Sequence, residues 1–259
     1  MEVVISSSVD EVDHVVADVV ESVVRAGPAV LGLATGSTPV GAYTELARRH
    51  REDGLSFARC SAFLLDEYLG VPKDSEQSYF SFIRDNFVDH VDLDGARVFS
   101  PDGEAADIGA EARRFDSAIA DAGGVDVQIL GIGGDGHLGF NEPGSSLRSR
   151  TRVKTLTEQT RRDNARFFDS PEDVPHHVLT QGLGTICEAR HLVLIATGTA
   201  KAAAVAAAVE GPLSAFCPAS AIQWHPHVSV VLDEAAASKL TLADYYRYAY
   251  RHKPTWQSL

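Results

Sequence analysis

The stretch VDVQILGIGGDGHLGFNEPG, residues 125–144, decides the fold of this chain and raises the question of its function. Its first eight residues are almost continuously apolar, which is typical of a strand buried on both faces of a parallel sheet. Residues 130–144 then combine six glycines with Asp135, His137 and Glu142. A buried strand excludes such polar side chains, so we expect a functional loop at the end of a strand. The loop is a phosphate cradle, a metal site or an acid/base centre.

Short apolar runs of the same kind recur along the chain. They are EVVIS (2–6), AVLGLA (29–34), SAFLLD (61–66), HLVLIAT (191–197) and VSVVLD (228–233). Helical patterns lie between the runs, at about 10–25, 39–52, 79–89, 104–122 and 200–209. This alternation predicts a single α/β domain over residues 1–259, with a Rossmann-like, doubly wound, mostly parallel sheet and helices on both faces. In such sheets ligands bind at the carboxyl ends of the strands.

Composition narrows the class of protein. The chain has 259 residues, 44% hydrophobic and 23% charged, and a formal net charge of -13. No apolar stretch approaches the roughly 18 residues of a membrane helix. Acidic residues stand near the start, where a secretory signal would carry Lys or Arg, so we expect a cytoplasmic protein. The negative charge argues against nucleic acid or an anionic membrane as a partner, because both need a positive field.

Several potential metal ligands favour structural roles instead. Cys60, Cys187 and Cys217 are odd in number and have no C-x-x-C spacing, so we expect buried, reduced thiols rather than disulfides or a zinc site. His225 and His227 share one face if they begin a strand, and packing or a hydrogen bond at the strand edge is favoured over a metal.

Two loops are candidates for binding an anion. In ATGSTPVGAY (34–43), residues 35–38 precede a helix, where free backbone amides and the helix dipole favour negative charge. Gly198 and Thr199 precede another helix, with Lys201 in its first turn, where the dipole disfavours a cation unless an anion shares the position. The alternatives are an ordinary helix cap and a solvated lysine.

The segment LRSRTRVKTLTEQTRRDNAR, residues 147–166, gathers positive charge in this acidic chain. It contains six arginines and one lysine against Glu158 and Asp163. No aromatic residues are interleaved for base stacking, so a small anionic ligand fits better than nucleic acid. A solvated basic face is the alternative.

Asp66 follows a buried run directly and is a candidate general base, with a helix cap or an ion pair as the alternative. In the opening loop, a histidine between two carboxylates can have its tautomer fixed and its cation stabilised, as a proton relay requires. Asp135, His137 and Glu142 could also ligate a divalent ion, but no H-E-x-x-H or comparable spacing supports a metal. We expect acid/base chemistry with no metal and no cofactor.

Taken together, these motifs resemble the glucosamine-6-phosphate deaminase (isomerising) family. The resemblance runs from about residue 30 to 233 in the family's order. It rests on ATGSTP, LLDEYLG with QSYFSF, GIGGDGHLGFNEPGSSLRSRTRVKTLT, RFF, and TGTAKA with VEGP.

The resemblance implies an enzyme, formally a hydrolase, that opens an amino-sugar 6-phosphate, isomerises it from aldose to ketose and releases ammonia, as in N-acetylglucosamine catabolism. It makes Asp66 the base that moves the carbon-bound proton, with Glu67 as the alternative, and His137 the ring-opening group, assisted by Asp135 and Glu142. The residues implied to bind the substrate phosphate are Thr35, Gly36, Ser37, Thr38, Arg166 and Lys201. A mobile lid at about 155–183 is also expected.

The resemblance further implies a second site. Ser145, Arg152 and Lys154 match residues that, in hexameric members, bind the activator N-acetylglucosamine 6-phosphate between subunits. The tail YRYAYRHKPTWQSL (246–259) does not match those members, and other members are smaller oligomers or monomers. Two other functions come into question. A 6-phosphogluconolactonase shares the G-x-G-x-D-G-H core but differs from the LGFNEP found here, and a non-catalytic sugar-phosphate sensor would carry a DNA-binding domain for which no length is left.

Overall fold

The structure is a computed structural model that describes residues 1–168, 170–254, 256–257 and 259. Its strands are β1 (Glu2–Ser6), β2 (Val30–Leu33), β3 (Ser61–Leu64), β4 (Asp66–Tyr68), β5 (Val98–Phe99), β6 (Val127–Leu130), β7 (Arg152–Thr155), β8 (His177–Thr180), β9 (His191–Ala196) and β10 (Val228–Asp233). Its α-helices are α1 (Val9–Ala26), α2 (Val40–Asp53), α3 (Tyr79–Asn86), α4 (Ile108–Asp121), α5 (Glu158–Asn164), α6 (Leu183–Ile186), α7 (Ala202–Val209) and α8 (Ala243–Arg251). Short 3-10 turns connect several of them.

The main sheet has seven strands in the order β1-β10-β9-β6-β2-β3-β5. Every paired neighbour in it is parallel. From the centre the chain proceeds outward through β2, β3 and β5 on one side, and through β6, β9 and β10 on the other. Strands β2 and β6 therefore meet at the point where the strand order reverses, which is where doubly wound sheets bind ligands. The predicted fold is confirmed.

All six predicted apolar runs lie in this sheet, and β2, β6 and β9 are buried along their whole length. The edge strand β5 was not predicted, because it has only two residues and no clear periodicity. The predicted helix at 104–122 begins later, at Ile108, because the Asp107 side chain accepts a hydrogen bond from the Ala110 amide and caps it. Pro39 is the cap of α2 rather than its first residue.

A second, three-stranded antiparallel sheet, in the order β4-β8-β7, was not predicted. Its strands have only three or four residues, and the pairing of Asp66 and Arg152 with Thr180 joins distant parts of the chain. This sheet matters for the site because β4 begins at the candidate base. Part of the expected lid, β8, is paired on both sides within it.

The apolar core lies on both faces of the main sheet. Cys60 is buried as expected, whereas Cys187 and Cys217 are only half-buried, and all three are free thiols. His225 Nε2 donates a hydrogen bond of 2.7 Å to the Ala189 carbonyl, and its Nδ1 accepts one of 3.1 Å from the His227 amide, which is the hydrogen bonding expected of this residue. Within the described part of the chain, no helix is both long and apolar enough to cross a membrane.

Candidate active site

Asp66 occupies the first position of β4, just beyond the carboxyl end of β3. The residue is 4% exposed, and its Oδ2 accepts a hydrogen bond of 3.4 Å from the Thr180 hydroxyl. Burial, reinforced by the negative charge of Glu67, raises the pKa of Asp66 from 3.8 to about 8. A carboxylate that titrates near neutral pH is well matched to taking and returning a proton.

Glu67, next to it, has a different environment. Its Oε1 accepts hydrogen bonds from the amides of Tyr68 (2.9 Å) and Tyr79 (3.1 Å), and its Oε2 accepts one from the Phe80 amide (3.1 Å). Since both oxygens are bound to backbone amides at the start of α3, Glu67 anchors β4 to that helix. This geometry makes Glu67 a weaker candidate base than Asp66.

The glycine-rich loop follows β6 at the centre of the sheet and carries His137. The imidazole lies directly against Gly133, where any Cβ atom would overlap the ring. The Gly133 amide also donates a hydrogen bond of 3.0 Å to the His137 carbonyl, which closes the loop on itself. Glycine at this position therefore allows the backbone to hold the imidazole at van der Waals distance.

Gly139 brings the same loop against Asp66. Its φ is +53°, and a Cβ there would lie 3.2 Å from Asp66 Oδ2 and 3.1 Å from Thr180 Oγ1. The Phe140 amide donates a hydrogen bond of 3.1 Å to Thr180 Oγ1, so the threonine bridges the loop and the carboxylate. Residues of β4, β8 and the glycine-rich loop thus meet at one point.

Asp135, His137 and Glu142 form a compact group. His137 Nδ1 lies 2.7 Å from Asp135 Oδ1 and 3.7 Å from Glu142 Oε2. Nδ1 and Oε2 have no hydrogen-bond partner among the described residues. The close imidazole holds the pKa of Asp135 well below its usual value. The arrangement places two carboxylates near the same nitrogen of the imidazole.

Among the described residues, the same three could hold a metal ion. One ligand atom from each lies within 4.8 Å of the others. A divalent cation needs ligands of this type, but three nearby acid and imidazole groups serve equally as a proton relay. The two interpretations differ in their response to chelation.

The loop after β2 lies at the same edge of the sheet. The Tyr43 hydroxyl donates to the Ala34 carbonyl (2.7 Å) and accepts from its amide (3.1 Å), which fixes the start of the loop. In the described part of the chain, the amides of Gly36, Ser37 and Thr38 donate no hydrogen bond within the protein. Free amides ahead of a helix are what the predicted anion cradle requires.

Two cations lie together at this edge. Lys201 ends the 3-10 turn after β9, and Arg166 lies in the 3-10 turn after α5. Burial, with a further contribution from the charge of Arg166, lowers the pKa of Lys201, while Asp163 and Asp135 oppose the shift. Neither cation forms an ion pair among the residues described. Two neighbouring unpaired cations favour an anionic ligand.

The residues implied to form a second site lie beside the first. Ser145 is buried and its hydroxyl has no hydrogen-bond partner among the described residues. Arg152 donates a hydrogen bond of 2.8 Å to Asn141 Oδ1, and burial lowers its pKa. Lys154 is half-buried two residues further along β7. Through Asn141, Arg152 contacts the loop that carries the acid/base group.

Several polar residues of the site were not predicted. Thr180 contacts Asp66, and the Asn141 side chain donates to the carbonyls of Gln181 and Leu138 at 2.7 and 2.9 Å. Thr160 contacts Glu142 from helix α5. No local pattern marks these residues, since each acts through a neighbour that is distant in the sequence.

Comparisons with known proteins identify the family of this chain. Residues 6–231 match the family described as glucosamine-6-phosphate isomerases/6-phosphogluconolactonase. The chain is 72% identical over 258 residues to a glucosamine-6-phosphate deaminase of Rhodococcus jostii (strain RHA1), with 100% of both chains covered. It is 55% identical over 261 residues to one of Streptomyces coelicolor (strain ATCC BAA-471 / A3(2) / M145), again with 100% of both chains covered.

Solved structures show the same relation. A monomeric glucosamine-6-phosphate deaminase is 43% identical, with a TM-score of 0.90 over 92% of this chain and 100% of that chain. A 6-phosphogluconolactonase from Trypanosoma brucei is 23% identical, with a TM-score of 0.72 over 93% of this chain and 98% of that chain, and shares the fold alone. The chain therefore belongs to the family of glucosamine-6-phosphate isomerases and 6-phosphogluconolactonases.

Proposed function

We propose that the protein is a glucosamine-6-phosphate deaminase, which converts glucosamine 6-phosphate and water into fructose 6-phosphate and ammonia. The observation that carries this proposal is the meeting of a buried, weakly acidic Asp66 with the His137 loop at Gly139. Full-length relatives of that name support the substrate. The net reaction consumes water, as a hydrolase does, while its central step is an isomerisation.

The first step is the opening of the sugar ring. His137 delivers a proton to the oxygen of the sugar ring while the anomeric hydroxyl loses one to the neighbouring carboxylates, Asp135 and Glu142, giving the open-chain aldehyde. Asp135, 2.7 Å from Nδ1, and Glu142, 3.7 Å from it, place two carboxylates beside the imidazole that transfers this proton. Asp135 and Glu142 can then return a proton to the imidazole of His137.

The second step moves a proton between two carbons. Ionised Asp66 removes the proton from the carbon that bears the amine while the aldehyde oxygen takes up a proton, and the resulting enolamine receives the carbon-bound proton back on the neighbouring carbon. The C–N bond is then an imine, which water attacks, and ammonia leaves as the ketose forms. Because its pKa lies near 8, Asp66 is basic enough to accept this proton and acidic enough to return it.

Substrate binding is assigned to the anion side of the site. The amides of residues 35–38 and the cations Arg166 and Lys201 would hold the 6-phosphate. They compensate locally for a chain whose formal net charge is -13. We also propose a single cytoplasmic domain in which residues of about 155–183 close over the substrate, residue 169 of that range lying outside those described.

The test is a coupled assay of both products with purified protein and glucosamine 6-phosphate. We expect fructose 6-phosphate and ammonia in equal amounts. Hydrolysis of 6-phosphogluconolactone without ammonia release would assign the chain to the lactonase branch of the family. Binding of the sugar phosphate with no turnover of either compound would indicate a sensor.

Chelation separates the relay from a metal centre. We expect EDTA to leave ammonia release unchanged, because Asp135, His137 and Glu142 are proposed to move protons. Activity that EDTA abolishes and one divalent ion restores would identify these three residues as metal ligands.

Ser145, Arg152 and Lys154 are proposed to bind a second sugar phosphate as an activator. Addition of N-acetylglucosamine 6-phosphate should raise the rate at low substrate concentration, and Arg152→Ala should remove that response. Light scattering on the same samples gives the oligomeric state. An unchanged rate in a monomeric protein would mean that this site has no regulatory role.

A further inference from the structure

Glu142 is held from two directions by different parts of the chain. Its Oε1 accepts a hydrogen bond of 2.6 Å from the Thr160 hydroxyl and a longer one, 3.3 Å, from the Thr157 amide. Its Oε2 faces His137 Nδ1 at 3.7 Å and has no hydrogen-bond partner among the described residues. One carboxylate oxygen of Glu142 is thus hydrogen-bonded to the start of helix α5, and the other faces His137, the proposed ring-opening group.

Helix α5 continues from this contact to other parts of the site. Thr157 caps the helix by accepting a hydrogen bond from the Thr160 amide, and Arg166 lies in the 3-10 turn directly after the helix. At the same end, the Asn164 side chain donates a hydrogen bond of 3.0 Å to the Tyr68 hydroxyl, two residues after Asp66. Helix α5 therefore connects the acid/base group, which its first turn contacts at Glu142, with Arg166, a cation of the proposed phosphate site.

We infer that Thr160 is a positioning residue, whose hydroxyl sets the orientation of the Glu142 carboxylate toward His137 and which, through helix α5, ties that orientation to phosphate binding at Arg166. This inference deepens the proposed function and rests on it. Phosphate bound at Arg166 fixes the carboxyl end of α5. A fixed helix holds Thr160, and Thr160 holds Glu142 in the orientation that ring opening needs.

The physical reason is the strength of the contact. A hydrogen bond to a charged oxygen in a buried site is stronger than one to a neutral group, and its loss leaves that oxygen under-satisfied. Without the Thr160 hydroxyl, the contacts that Oε1 keeps among the described residues are the longer ones to Thr157. The carboxylate is then free to turn, and its distance to His137 is no longer defined.

The test uses Thr160→Val, which has nearly the same shape but no hydroxyl, and Thr160→Ser, which restores the hydroxyl. The matched control is Thr185→Val, because the buried Thr185 hydroxyl also donates to a carboxylate, Asp116 Oδ1 at 3.0 Å, away from the site. We expect Thr160→Val to lower kcat by about 10- to 100-fold with little change in KM. Thr160→Ser and Thr185→Val should stay near the wild-type kcat.

Coupling to the phosphate site is measured with Arg166→Ala. If α5 transmits the effect, the double variant Thr160→Val/Arg166→Ala should lose less kcat than the product of the two single losses. Fully multiplicative losses would overturn the coupling. A wild-type kcat for Thr160→Val, or an equal loss in Thr185→Val, would overturn the positioning role.

A second readout does not depend on turnover. The NMR signal of the His137 ring carbon Cε1 and its proton, assigned by its absence in His137→Gln, reports the surroundings of the imidazole at a fixed pH. Thr160→Val should move this signal, whereas Thr160→Ser and Thr185→Val should leave it in place. A wild-type protein that releases no ammonia would refute the proposed function, and an unmoved signal in Thr160→Val would refute the inference independently.

Discussion

Asp66 and Asp135 are two carboxylates of one site whose pKa values are shifted in opposite directions. Asp66 is 4% exposed, and burial with the neighbouring Glu67 raises its pKa to about 8. The Asp135 side chain is 39% exposed, and the adjacent His137 imidazole keeps its pKa low. The difference teaches that the surroundings of each carboxylate, rather than its residue type, determine its role. Asp66 can exchange a proton near neutral pH, while Asp135 remains a fixed negative charge.

The largest effect should come from Asp66→Asn. The amide keeps nearly the same shape but cannot take a proton, so turnover should fall by about 10³-fold or more while inhibitor binding stays within a few-fold. The measurement is ammonia release together with solvent deuterium incorporation at the reacting carbons. Wild-type deuterium exchange in Asp66→Asn would mean that another residue is the base.

His137→Gln should have the next largest effect, a loss of roughly 10²-fold on the closed-ring substrate. Ring opening limits only the cyclic form, so the variant should be relatively better on the fraction of substrate that is already open. The test compares deuterium incorporation with ammonia release at several temperatures, because temperature changes the fraction of open-chain substrate. An equal loss on both forms would place His137 in the carbon-proton step with Asp66.

The cations should matter for binding. Lys201→Ala and Arg166→Ala should each cost about 10- to 100-fold in kcat/KM, because a charge-assisted contact contributes roughly 1.5–3 kcal/mol. Arg166→Ala should also lower kcat if helix α5 couples the two sites. The control is Arg162→Ala, which removes an exposed arginine of the same segment that contacts its own helix, Glu158 at 3.5 Å and Gln159 at 3.1 Å. Unchanged kinetics in both test variants would place the phosphate elsewhere.

Stability should change in opposite directions at the two carboxylates. The raised pKa of Asp66 means that the folded state binds more protons than the unfolded state between about pH 4 and 8, so stability falls as the pH rises through that window. Asp66→Asn removes this cost and should raise Tm at pH 8 but not at pH 4. Each kcal/mol corresponds to about 2–4 °C for a chain of this size.

The lowered pKa of Asp135 gives the reverse sign. Its contribution to stability is present above the usual pKa of 3.8 and is lost as the pH falls through the folded-state value. Asp135→Asn should therefore lower Tm at neutral pH, and the deficit should shrink in strong acid. Thermal unfolding of both variants from pH 2 to 8 checks the pair, and two shifts of the same sign at pH 8 would contradict it.

The smallest expected effect is a displaced pH profile. Activity that needs ionised Asp66 rises with pH through its pKa, and removing the Glu67 charge lowers that pKa. Glu67→Gln should therefore move the rising limb to lower pH. The exposed Glu76→Gln is the control. If the rising limb of the pH–activity profile stays in place, a group other than Asp66 controls it.

The sequence predicted the main sheet because its strands are continuous apolar runs, a signal that burial on both faces imposes. The small sheet lacks that signal, since β7 alternates half-buried and exposed residues and β4 has only three residues. The catalytic candidates were identifiable because glycines and polar residues directly follow buried strands. The contacts of Glu67 and Thr160 were not, because they depend on distances between side chains that no local pattern encodes.

The order of strands in the main sheet also has a kinetic consequence. Strand β6 pairs on one side with β2, from the start of the chain, and on the other with β9, from its last third. Such long-range parallel pairings form late, because closing long loops is entropically costly. In refolding, the helical circular-dichroism signal should return before ammonia release does. The rate at which activity recovers would then report when β2 and β9 pair with β6.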